Sequence, residues 1–399
     1  MNEVVVTGLG AVSPHGDDAA ALFDALLRGE SAVQSQFPEL PQPTPAARAP
    51  FDALRWFTKL QLAGVDRVSQ FAVAAAALAV RDAGGLGDAD PERIGVYFGC
   101  GMGGAAALEA AYGGGRVPPL TVPAFMPNAA AAHVAMRHHA QGPVITYAVA
   151  CASSALAIAE AAKAVQRGEV DVAIAGGSEA LLVPGVVRAW QAMMTLAGFA
   201  PGAAANSCRP FAIDRSGFAL GEGAACLVLE SAARARERGT RAYAGLAGWG
   251  LRCDATHLTK PDAGGQQRTL RAALRQAGLQ AADVGYCNAH GTATRIGDAV
   301  EAEALRGVWG RDIDGLQVSS TKALHGHLLG AAGALEAVIT VLALHRRQLP
   351  PQWHCDQPDP DCGLRLVSTT ATASPQLQAA ISSSFAFGGS NAALVFTRA

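Results

Sequence analysis

The sequence predicts an α/β protein built from two similar halves. Three observations carry this. Strand and helix patterns alternate along all 399 residues. The pattern restarts near Ala224. A buried strand, a loop of chemically capable residues and an Ala- and Gly-rich helix recur in that order over 144–164 and 316–344. Two such units packed together would set both helix N-termini against one central site.

The elements follow in order. Residues 4–7 read as a strand that runs into Gly8-Leu9-Gly10. Helices are expected over 19–27 and 68–83, the second closed by Gly84-Gly85. A strand over 94–98 enters the glycine-rich turn Gly99 to Gly104. The apolar run 144–149 reads as a buried strand, 152–167 as a buried helix, and 170–175 as a strand ending in Gly176-Gly177. The second half holds strands over 224–230, 242–250, 286–290 and 316–320, then 379–385 and 392–396. Its helices are expected over 232–238, 268–277 and 328–344, the last apolar throughout. The proline-rich stretch 34–50 reads as a surface loop. The division expected is 1–235 for the first half and 236–399 for the second.

Bulk properties exclude several functions. The net charge is -2, without a basic run, so nothing draws the chain to nucleic acid. Half the residues are hydrophobic and only 16% are charged, which describes a tightly packed, self-associating protein. The longest unbroken apolar stretch, 71–80, is too short to cross a bilayer, and the N-terminus shows no signal peptide pattern. A cytoplasmic protein with no membrane span is expected. Eight cysteines without a CxxC pair give no disulfide framework.

The chemistry starts at Cys151, on the turn between the 144–149 strand and the next helix. A thiolate there would face the positive end of a helix dipole. His290 lies in Asn288-Ala289-His290-Gly291-Thr292-Ala293-Thr294. Lys322, His325 and His327 lie between an apolar strand and an apolar helix, where charge is costly without a purpose. The Gly-Gly loop of 385–391 offers free N–H groups that suit an oxyanion. Alone, each has a bland reading: a buried cysteine, a packed histidine, solvated loop residues, a plain turn.

Taken together these segments resemble the β-ketoacyl-acyl-carrier-protein synthases, condensing enzymes of the thiolase superfamily, of the elongating Cys-His-His kind. The likeness runs from Val4-Val5-Val6-Thr7-Gly8-Leu9-Gly10 to the last strand. It includes Ala150-Cys151-Ala152-Ser153-Ser154, Arg209-Pro210-Phe211, Asp214-Arg215-Ser216-Gly217-Phe218 and Gly221-Glu222-Gly223. It continues through Ala289-His290-Gly291-Thr292-Ala293-Thr294, Gly297-Asp298, Lys322, Gly326-His327, Gly330-Ala331-Ala332-Gly333 and Phe385-Ala386-Phe387-Gly388-Gly389-Ser390-Asn391. His325 falls outside it, because related enzymes often carry a small or polar residue there.

The resemblance implies a thiolase-like fold with a layered α-β-α-β-α core. It implies an acyltransferase that condenses an acyl group on Cys151 with malonyl-acyl-carrier protein, giving a 3-oxoacyl product for fatty acid, polyketide or polyene assembly. Cys151 would be the nucleophile, and its N–H with that of Phe387 the oxyanion hole. His290 and His327 would bind the enolate oxygen. Lys322 would be an electrostatic partner, supported by Glu336. Thr292 and Thr294 would contact the phosphopantetheine arm carried by the acyl-carrier protein, and no metal or other cofactor is implied. Phe387 would gate an acyl pocket bounded by Met102 and by Phe125 of a neighbouring subunit, in a homodimer or a heterodimer with a related synthase.

One departure stands out. Relatives carry a basic patch for the carrier where this chain has Lys59-Leu60-Gln61-Leu62-Ala63-Gly64-Val65-Asp66-Arg67, which points to a specialised carrier or another docking site. The competing readings are a chain-length-factor-like partner subunit, a thiolase-type coenzyme A acyltransferase, and a synthase selective for an unusual primer. The first type lacks the nucleophile, and the two-histidine pattern favours the decarboxylating synthase over the second.

Overall fold

The computed structural model describes residues 2–114, 116–370 and 372–399. The first half supplies β1 (Val4–Val12), β2 (Ile94–Gly99), β3 (Val144–Tyr147), β4 (Val172–Glu179) and β5 (Gly223–Ser231). The second supplies β6 (Ala244–Cys253), β7 (Tyr286–Asn288), β8 (Gln317–Ser319), β9 (Arg365–Leu366), β10 (Ala379–Phe385) and β11 (Ser390–Arg398). The first five lie in the order β1-β5-β4-β2-β3, and the second set repeats it as β6-β11-β10-β7-β8, with β9 added outside β8.

Strand directions repeat too. β1 and β4 both run antiparallel to β5, and β2 runs parallel to β4 and β3. β6 and β10 both run antiparallel to β11, and β7 runs parallel to β10 and β8. The halves join where Val5 and Val6 of β1 face Gly245 and Ala244 of β6. The duplication read from the sequence is therefore present in the topology.

Helices complete five layers. α1 (Arg67–Asp82) and α2 (Ala129–His138) cover the outer face of the first sheet, packing Phe71 and Val134 against Val96, Ile174 and Val228. α3 (Ser153–Arg167) and α6 (Ala332–Arg346) fill the middle, where Ile158, Val338 and Ile339 meet Leu227, Leu229, Leu394 and Phe396. α4 (Ala263–Ala277) and α5 (Arg295–Trp309) cover the far face with Leu270 and Leu305 on Val318, Ile381 and Val395. The alternation of Leu227, Val228 and Leu229 between two cores is the two-residue period of a strand covered on both faces.

Four local expectations change. The stretch 34–50 is not a surface loop throughout: Gln34–Gln36 and the buried Thr44–Ala47 pair as strands, the second also with Leu220 and Gly221. The first strand does not stop at Thr7 but runs to Val12. Gly10 lies within that strand: a Cβ there would sit 2.1 Å from Ala75 O, so the glycine lets the α1 backbone lie on it. The helix expected over 328–344 starts at Ala332, after a 3₁₀ turn at Leu329–Ala331. It is apolar enough to span a membrane over Leu329–Arg346, but 89% of that window is buried, which makes it a core helix. The strand expected to be buried over 144–149 ends at Tyr147 and forms the sheet edge, with Val144 and Ile145 41% and 40% exposed.

α3 and α6 cross closely enough that a Cβ at Gly333 would lie 2.9 Å from Ala155 N and 2.8 Å from Ala155 Cβ. Replacing Gly333 with leucine forces the helices apart. Urea unfolding of Gly333→Leu is expected to show a loss of about 3 kcal/mol; an unchanged midpoint would contradict the close crossing.

Candidate active site

The crossing of α3 and α6 decides where the reactive groups meet. Cys151 precedes α3 by two residues, on a turn that Ala150 enters at φ +47°. Ser153 holds this turn, its Oγ donating to Ala150 O at 2.6 Å and accepting from Val149 N–H at 2.9 Å. His327 lies on the turn before α6. Its Nε2 is 3.1 Å from Cys151 Sγ. The His290 and His327 rings meet edge-on at 5.4 Å, and the ligand atoms of Cys151, His290 and His327 all lie within 4.8 Å of one another. The sequence-expected nucleophile and both histidines thus converge.

Lys322 and Glu336 stand behind the histidines, both fully buried. Lys322 Nζ donates to His290 O at 2.5 Å and is ion-paired with Glu336 Oε1. The ammonium therefore supports the His290 backbone. Breaking such a pair leaves one buried charge unmatched and costs roughly 3–5 kcal/mol. His325 is buried as well, not solvated, with Nε2 against Thr321 Oγ1 at 2.9 Å and Nδ1 against Gly326 O at 2.7 Å. It shapes the turn and lies outside the cluster.

The electrostatics set the protonation states. Burial, helped by the Lys322 charge and the neighbouring ring, drives His290 well below the usual imidazole range; burial and Lys322 do the same to His327. Both are neutral at neutral pH. His327 Nδ1 accepts from Leu329 N–H at 3.3 Å, which puts the ring proton on Nε2, facing Sγ. Burial pushes the Cys151 thiol up to about 12, against a downward pull from Lys322. The α3 N-terminus and the His327 N–H pull the same way as Lys322. The resting group is thus a buried thiol primed by its donors, not the free thiolate expected from the helix dipole alone.

A cavity of about 550 Å³ leads from Cys151, His290 and His327 past Thr292, Thr294 and Phe387 to the surface. Thr292 and Thr294 hydroxyls lie 3.2 Å apart, and Thr294 Oγ1 also caps α5 by accepting from Gly297 N–H. Phe387 stacks on Trp190 at 6.2 Å, Trp190 meets Phe218 edge-on at 5.5 Å, and Phe218 meets His327 at 5.4 Å. Among the described residues, Phe387 N–H donates to no backbone acceptor, while Ala386, Gly388 and Gly389 are engaged with Ser390, Leu258 and Ala386. Met102 and Phe125 do not line this cavity. The Met102 loop is tied to the Phe125 segment by the Gly104 N–H to Phe125 O bond, and Met102 is 54% exposed.

Two supporting carboxylates were not singled out from the sequence. Glu301 accepts from His290 N–H, Gly291 N–H and Ser383 Oγ at 2.7–2.8 Å. Its signal was available, since it follows Asp298 by three residues on one helix and so shares its face. Glu179 accepts from Gly101 N–H and Gly330 N–H at 2.8 and 3.0 Å, joining the Met102 loop to the α6 turn. Its place at a strand end carried no such signal.

Models of the β-ketoacyl synthase family match this chain, the N-terminal domain over residues 1–235 and the C-terminal domain over 243–356. The chain belongs to the β-ketoacyl synthase family. It is 40% identical to Nodulation protein E of Rhizobium sp. (strain N33), over 98% of each chain. It is 37% identical to 3-oxoacyl-[acyl-carrier-protein] synthase 2 of Staphylococcus aureus (strain N315), over 99% of this chain and 98% of the relative. Its fold matches, over the full length of both chains, a solved type II PKS acyl-carrier protein in complex with its ketosynthase bound to the hexaketide, with a TM-score of 0.91 and 28% identity. The chain is thus a condensing acyltransferase of thiolase-like fold.

Neutral buried histidines make stability depend on acid. The pKa of His325 is lowered to about 3 by burial, against an ordinary 6.5. Its stabilising share is complete above 6.5 and is lost progressively as pH falls toward the folded value. At pH 5.5 the loss is about 1.4 kcal/mol. Buried carboxylates with raised values act in the opposite direction, so the test compares proteins. Between pH 7.5 and 5.5, His325→Gln is expected to lose about 1.4 kcal/mol less than the parent in urea unfolding; equal losses would refute the neutral, buried assignment.

Proposed function

We propose that this chain joins an acyl group carried on Cys151 to a malonyl unit carried on an acyl-carrier protein. The observation that carries the reading is the meeting of Cys151 Sγ with His327 Nε2 at 3.1 Å, beside His290, at the base of a cavity. The nucleophile half is residues 1–235 and the histidine half 236–399.

In the first half-reaction Cys151 sulfur attacks the carrier-bound thioester. The Cys151 and Phe387 N–H groups receive the tetrahedral oxyanion, and the carrier thiol leaves with the proton. In the second, malonyl thioester loses carbon dioxide. The electron pair of the broken C–C bond forms an enolate, whose oxygen takes hydrogen bonds from the ring N–H groups of His290 and His327. Neutral rings suit this role, since each keeps an N–H to give. The enolate carbon then attacks the Cys151 thioester, a C–C bond forms, and the cysteine sulfur leaves with its electron pair. Lys322 holds His290 in place through its carbonyl, and Glu336 balances that charge. Thr292 and Thr294 bind the phosphopantetheine arm. No other cofactor enters the scheme.

Cys151→Ala is expected to abolish acyl loading. Intact-protein mass spectrometry after incubation with acyl-carrier protein checks this, and a thioester-linked adduct on the mutant would sink the assignment.

The protein works in the cytoplasm as a dimer. β3 ends the sheet with open backbone groups and exposed Val144 and Ile145, and Met102, Val122 and Met126 are exposed too. Such an edge pairs readily with a second chain. A partner seated there would cover Met102 and bring a second Phe125 toward it, closing the acyl pocket. Light scattering is expected to give about twice 40.7 kDa for the parent, and a single-chain mass for Ile145→Asp. A monomeric parent would overturn the pairing.

A further inference from the structure

We propose that the carrier protein docks at the mouth of the Cys151 cavity through apolar contacts, so that the partner is an acyl-carrier protein whose docking helix presents apolar side chains. The proposal rests on the reading of Cys151 as a carrier-served nucleophile. It adds the chemistry of the partner's surface.

The cavity opens between Met193, Met194, Leu258 and Ile296, which are 43%, 87%, 73% and 60% exposed. Single exposed apolar residues are ordinary on a protein surface; four around one opening mark a contact site. Met194 is held at φ +54°, a conformation that a side chain with a Cβ resists. The backbone there is strained at a position that stands an apolar side chain almost fully in water. A substrate tethered to a carrier must bring the carrier's surface down on this rim, because the tether ends at Cys151.

The rim charges agree. The acidic residues that line the cavity, Asp254, Asp298 and Glu301, are all buried. The exposed charges along it are Lys260 and Arg295, which suit the single phosphodiester of the carrier's arm and not a whole acidic helix. The stretch from Lys59 to Arg67 offers no replacement. Leu60 is 87% exposed, and Arg67 turns inward, 2.7 Å from buried Glu222 and 4.5 Å above the Phe71 ring. Among the described residues, the rim carries two exposed cations and the 59–67 stretch only Lys59, too few to match a whole acidic helix, while an apolar collar stands at the surface that leads to the nucleophile.

The test measures condensation with two hexanoyl-loaded carriers. One has an acidic docking helix; the other is its variant with two helix carboxylates changed to leucine. N-acetylcysteamine thioesters serve as carrier-free substrates. The parent is expected to favour the leucine variant, with a KM that moves less than about twofold from low to high salt. Met194→Glu and Ile296→Glu should each raise the carrier KM roughly tenfold and leave carrier-free turnover unchanged. A steep rise of KM with salt, or collar variants with normal carrier KM, would overturn apolar docking alone. Equal loss with carrier-free substrates would make the collar part of the substrate path and also overturn it. A parent that takes no acyl group from any thioester would overturn the functional reading beneath it.

Discussion

Everything at the site depends on how closely α3 and α6 approach. Neither helix has a side-chain cap of its own at its N-terminus. The first turn of an α-helix leaves its N–H groups without internal partners. Here one is satisfied across the crossing: Ala334 N–H of α6 donates to Ser154 Oγ of α3 at 2.9 Å. Gly333 removes the side chain that would hold the helices apart, and Ser154 binds them where they touch. The contact fixes the start of α3 against the start of α6, and with it Cys151 against His327. Because the two halves share one topology, the nucleophile and the second histidine occupy equivalent strand-to-helix turns. Duplication places them symmetrically, and the glycine lets them meet.

The electrostatic design follows from burial. A buried site makes every charge expensive, so the chain keeps few. Lys322 is the cation nearest the cluster, and its cost is offset by Glu336, whose own carboxyl is pushed up to about 7 by burial even with the ammonium beside it. The histidines pay for burial by staying neutral. The thiol does the same until a thioester arrives. In this state the site holds N–H donors, a dipole and one matched ion pair, all fixed before any charge develops on substrate. Preorganised donors of this kind stabilise an oxyanion without reorganising.

Much of this was legible in the chain. Cys151, His290, Lys322 and His327 each stand at the end of an apolar strand, followed by small residues, a pattern the eye can find. The apolar run at 144–149 misled for a physical reason: apolar periodicity reports that a face leaves water, not whether its own chain or another covers it. Val144 and Ile145 lie on the edge strand, exposed in the single chain. The thiol misled because a helix dipole is visible in sequence, whereas the depth of burial that opposes it emerges only when five layers stack. The strand read as far as Thr7 continues through Gly8 and Gly10, whose close helix neighbour, α1, is more than sixty positions away in sequence.

Glu301 and Glu179 explain why the motifs around the reactive residues consist of such small side chains. Glu301 binds the backbone at His290 and Gly291, Asp298 binds it at Ala293 and Phe211, and Glu179 binds it at Gly101, Met102 and Gly330. Each buried carboxylate grips backbone N–H groups first, with Glu301 also taking the Ser383 hydroxyl, so it holds a loop best where nothing bulky shields the backbone. That requirement selects glycine and alanine around each reactive residue. It also places a negative charge behind each loop, and burial pushes Asp298 and Glu179 to about 7. The loops are thus held by the same low-polarity interior that keeps the histidines neutral. One physical condition, burial at the junction of the halves, both shapes the site and sets its protonation.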